Sequence, residues 1–109
     1  MGSAVKVQLV GEHLGENSEY IERLIETLTQ RKAELLEEIE GWLRRIEREK
    51  RDLSKMDGKD EALVMMHRHL LQASIDDLEA ERFKVKSLDN RLLALNYQKD
   101  LVLRRVLDE

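Results

Sequence analysis

Cysteine and proline are both missing from this chain of 109 residues, and aromatic residues make up only 4% of it. Without Cys there is no disulfide and no thiolate metal site, which fits a reducing compartment and leads to the expectation of a cytoplasmic protein. The lack of Pro leaves long helices without their strongest internal breaker. One Trp, two Tyr and one Phe supply little of the bulk that a single-chain core needs. No apolar run approaches the ~20 residues that cross a bilayer, so membrane insertion is not expected. A one-signed charge field is also missing. The net charge is −4, with Lys/Arg and Asp/Glu mixed throughout. Nucleic-acid binders usually present a basic face, so nucleic acid is not an expected partner.

Sequence signals of catalysis are equally scarce. The chain has no G-x-x-x-x-G-K, G-x-G-x-x-G, H-E-x-x-H or nucleophile-elbow pattern, so neither an enzyme nor a cofactor is expected. His67 and His69 are two apart and diverge on a helix, whereas helical metal pairs need spacings of three or four. Glu37, Glu38 and Glu40 read as a solvated face, because acid-base work needs carboxylates in a cleft. Arg44, Arg45, Arg48, Lys50 and Arg51 form the densest basic stretch. Acidic residues interleave with it, and no aromatic ladder accompanies it to stack bases. It reads as a coiled-coil flank, with an anionic protein patch or phosphoinositide head group as the minority reading.

What is abundant is charge, 39% of residues, together with Leu, Glu, Lys, Arg and Ala. That mixture fits helices with charged outer faces. The opening Met1-Gly2-Ser3 lacks a signal-peptide pattern and reads as an expression remnant, so a segment of a longer protein is expected. Residues 1–16 read as a flexible lead-in. Val5, Val7 and Leu9 alternate there like a short strand, and Gly11 and Gly15 interrupt the pattern.

The first long helix is expected over 17–57, with Asn17 or Ser18 as its cap. One seam position carries Ile21, Leu28, Leu35, Trp42 and Met56, and the other carries Ile25, Ile39, Ile46 and Leu53. Lys32 and Glu49 are its polar intrusions. A 3.5-residue apolar repeat keeps one stripe facing a partner helix. Leu24, Leu36 and Leu43 flank that stripe. Glu19–Arg23, Glu40–Arg44 and Glu47–Arg51 are spaced for weak pairs of ~0.2–0.5 kcal/mol each. Trp42 reads as an interface anchor or as a core ring to which Gly41 gives room.

A turn is expected at 58–60, where Gly58 takes a left-handed conformation at little cost. Asp57 or Asp60 then caps a second helix over 61–109. Val64, Leu71, Leu78, Val85, Leu92 and Val106 recur at multiples of seven, and Ile75, Leu88, Leu95 and Val102 fill between them. Asn90, Asn96 and Lys99 interrupt this surface. Continuing the first register would place Ser74, Asp77, Glu81 and Lys84 on the seam, which argues for a phase break. The expected fold is therefore all-α, a long two-helix antiparallel coiled-coil hairpin that pairs with a copy of itself into four helices. A single continuous helix in a parallel dimeric coiled coil is the alternative. The expected interface comprises Ile21, Ile25, Leu28, Leu35, Ile39, Trp42, Ile46, Leu53, Leu71, Leu78, Val85, Leu92, Leu95, Val102 and Val106.

Such a chain is expected to act by association: a dimerisation or scaffolding segment, with itself as homodimer partner and/or another protein. The alternative is a helical-hairpin adaptor that recognises a folded partner, as small-GTPase effectors with helical hairpins do.

Overall fold

A computed structural model describes the backbone of residues 2–56, 58 and 60–108, and the side chains of 18–56, 58, 60–105 and 107. The protein is an all-α helical hairpin of two elements, α1 (Gly2–Ser54) and α2 (Glu61–Asp108). Helix α1 takes in the backbone of the stretch read as a lead-in. Extending an existing helix is far cheaper than nucleating one, and a glycine inside a helix costs only ~1 kcal/mol. The side chains of that stretch lie outside the described residues.

The reversal begins earlier than the pattern implies, because local bonds close the last turn of α1. Ser54 Oγ donates to the Arg51 carbonyl at 2.7 Å. The Lys55 amide divides between the Arg51 and Asp52 carbonyls, both at 3.2 Å, and the Met56 amide reaches the Leu53 carbonyl at 3.1 Å. Such contacts tighten a helix end and satisfy carbonyls that have no partner further along. Gly58 follows with φ of 79°, a conformation that costs an L side chain ~1–2 kcal/mol. Asp60 starts α2. Its Oδ1 accepts from the Ala62 amide at 3.0 Å, and its carbonyl takes the first helical bond, from the Val64 amide, also at 3.0 Å. Asp60 is therefore the cap; the other candidate, Asp57, lies outside the described residues. These features overturn the continuous-rod alternative, since α1 stops at Ser54 and the backbone at Gly58 is not helical.

The chain forms two compact units, one of Lys32–Ser87 and one of Met1–Arg31 with Leu88–Glu109. In the first, which contains the turn, Ile39 and Ile46 of α1 and Leu78 of α2 are buried together. Trp42, Leu71, Ile75 and Val85 pack around them. Leu35 is the most enclosed side chain of the unit, at 1% exposure. Glu49 meets Ser74 across the two helices. In the second unit Ile21 and Leu88 are buried, and Lys99 Nζ of α2 pairs with Glu22 Oε1 of α1 at 3.2 Å.

Candidate functional site: the helix seam and the outer face of α1

On α1 the seam follows the heptad. Ile21, Leu35, Ile39 and Ile46 are buried, and Ile25, Leu28, Trp42, Leu53 and Met56 are half-buried. The two polar intrusions, Lys32 and Glu49, are also half-buried. On α2, Leu78 is buried and Leu71, Val85, Leu92, Leu95 and Val102 are half-buried. The side chain of Val106 lies outside the described residues.

The phase break is narrower than the apolar pattern implies. Of the four residues cited for it, Asp77 and Lys84 are exposed, whereas Ser74 is buried and Glu81 is half-buried. In the turn-containing unit the enclosed heptad positions of α2 are Val64, His67, Leu71, Ser74, Leu78, Glu81 and Val85, alternating by three and four. One seam position thus keeps the register of α1 through the turn, and only the other shifts, by a single residue. Ile75, read as a seam residue, flanks this stripe. The missed positions carry polar side chains, and a search for apolar residues passes over them. Counting back by sevens from Val102, Leu95 and Leu88 leads to Glu81, Ser74 and His67.

These polar side chains are held in specific ways. Glu49 Oε1 accepts from Ser74 Oγ at 3.1 Å and from Arg45 Nε at 2.9 Å. Its other oxygen, Oε2, is buried and accepts no hydrogen bond among the described residues. Glu81 Oε1 accepts from Lys84 Nζ at 3.0 Å. The Arg45 guanidinium also lies 5.2 Å from the centre of the Trp42 ring, a cation–π geometry worth ~0.5–1 kcal/mol at an exposed site. Trp42 is therefore a core-edge ring, packed on one side and covered by Arg45 on another.

A Cβ built on Gly41 meets nothing within 4 Å beyond its chain neighbours and its own helix backbone, so no side chain packed across from it calls for a residue that costs ~1 kcal/mol relative to Ala inside a helix. An open groove of about 630 Å³ lies on this part of α1, lined by Gly41, Leu43, Arg44, Glu47, Arg48 and Arg51. Of the pairs expected here, Glu40–Arg44 and Glu47–Arg51 do not form. Glu47 lies 3.9 Å from Lys50 instead. Exposed pairs are weak enough for side-chain entropy to decide among them. In consequence Arg44, Arg48 and Arg51 have no carboxylate in ion-pair reach among the described residues.

Apolar surface stays in contact with water in both units. Leu36, Leu43, Leu63, Met66, Leu70 and Phe83 are exposed in the turn-containing one, Phe83 at 71%. In the other, Tyr20, Leu93, Tyr97 and Leu103 are exposed. A second groove there, of about 380 Å³, is lined by Tyr20, Ile21, Gln98, Leu101, Val102 and Arg105. Among the described residues no helix is long and apolar enough to cross a membrane, and no group of three or more His, Asp or Glu side chains is placed to hold a metal ion. No protein-family model, curated protein or solved structure matches the chain.

Proposed function

We propose that this protein is a coiled-coil association module: a helical hairpin that pairs with a second copy of itself and thereby holds polypeptides together. The observation that carries this reading is exposed apolar surface: Leu36, Leu43, Leu63, Leu70 and Phe83 in one unit and Leu93 and Tyr97 in the other all face water. Enclosing one such side chain contributes ~1.5–3 kcal/mol, and equivalent subunits most simply pair about a twofold axis.

Sedimentation equilibrium from about 1 to 100 μM, a range centred on ordinary oligomer affinities, tests the proposal. A dimer mass is expected, and a monomer mass across the whole range would contradict it.

A second reading, an adaptor for a folded protein partner such as a small GTPase, is favoured by one local feature. Leu63, Met66 and Leu70 form an exposed row on the first turns of α2, at spacings of three and four that place side chains on one helix face. Polar substitution of all three that abolishes binding to such a partner, with the dimer intact, would favour the adaptor.

A further inference from the structure

On two rows of the outer face of α1, beside the row of Glu40 and Glu47, the charge reverses at Gly41. On its N-terminal side stand Glu34 and Glu37; on its C-terminal side stand Arg44, Arg48 and Arg51. All five are exposed. Glu34 and Arg48 lie seven residues on either side of Gly41, and share its heptad position. Glu37 and Arg44 occupy the next row, also on either side of it.

A surface with this pattern is complementary to its own copy turned end for end. We infer that the outer face of α1 is a self-recognition surface on which α1 of a second copy lies antiparallel, with the two helices crossing at Gly41. The inference rests on the self-association proposed above and names where it occurs. In this crossing Glu34 of each copy faces Arg48 of the other, and Glu37 faces Arg44. Twofold symmetry makes every contact occur twice. A parallel pairing would instead set the arginine rows against each other.

Three independent features select a second copy as the occupant. The first is the reversal of charge about a single residue, which a lone acidic ligand would not require. The second is the glycine at the point of reversal, where a built Cβ meets nothing within 4 Å beyond its chain neighbours and its own helix backbone. Glycine permits close approach of another backbone. The third is the absence of intrachain carboxylate partners for Arg44, Arg48 and Arg51 among the described residues.

A charge-swap experiment tests the arrangement. One variant carries Arg44→Glu and Arg48→Glu; the other carries Glu34→Lys and Glu37→Lys. Each alone sets like charges against like, and is expected to self-associate about tenfold more weakly than the wild type. Mixed in equal amounts, the two variants regain every opposite-charge contact, and a heterodimer of near wild-type affinity is expected by sedimentation. Circular dichroism checks that each variant is still helical. Gly41→Cys supplies a second measurement, since the chain has no other Cys: mild oxidation is expected to give a covalent dimer. If the wild type dimerises but mixing restores nothing, or the Cys variant dimerises without cross-linking, this surface is wrong and the association proposal stands. If the wild type is monomeric throughout, both fall.

Discussion

Glu49 shows how a single residue can work against the seam that contains it. Its Oε1 takes two donors, Ser74 and Arg45, while Oε2 is buried without one. Buried ionic groups of this kind stabilise less than apolar residues of similar volume, but removing only one partner is costly. Ser74→Ala is therefore expected to lower stability by ~1 kcal/mol, measured by urea denaturation. The double substitution Glu49→Leu with Ser74→Ala is expected to exceed the wild type, which the same measurement checks. Leu35, at 1% exposure, sets the opposite extreme. Leu35→Ala is expected to cost ~2–5 kcal/mol through lost burial and the cavity left behind. A loss well under that range would mean that the helices close over the gap.

At the scale of elements, the turn decides where each helix stops. Gly58→Ala would force an L side chain into a φ of 79° and is expected to destabilise by ~1–2 kcal/mol. Asp60→Ala removes the acceptor of the Ala62 amide and is expected to cost ~1 kcal/mol, while Asp60→Asn is expected to be nearly neutral. Thermal unfolding followed by circular dichroism ranks the three. Much of this element structure is legible in the chain: the heptad of α1, the glycine of the turn and Asp60 as one of two cap candidates. The end of α1 is not, because the hydroxyl of Ser54 and the tightened amides of Lys55 and Met56 act on a scale shorter than any hydrophobic repeat. Nor is the seam of α2, whose enclosed His67, Ser74 and Glu81 look like breaks in a stripe until Glu49 is seen opposite Ser74.

For the whole molecule, association and stability are linked. If the folded chain dimerises and the unfolded chain does not, the thermal midpoint rises with protein concentration; calorimetry across a hundredfold range of concentration is expected to show that rise. Glu40 offers a sharper check on the crossing at Gly41. In that arrangement it lies near its own copy, and like charges across an interface oppose binding. Glu40→Ala is therefore expected to tighten the dimer, although it removes a charged surface residue; sedimentation would show it, and a weakened dimer would argue against the crossing. Composition and periodicity by themselves determined that this chain is helical and which seam residues of α1 from Ile21 onward face inward, and they favoured a hairpin over a rod, because a 3.5-residue repeat and a flexible glycine are local properties; the helix end at Ser54 and the backbone at Gly58 decided between the two. Only the tertiary structure decided the register of α2, the bonding of Glu49, and that Gly41 faces open space. Those depend on what lies across the seam, which no single helix encodes.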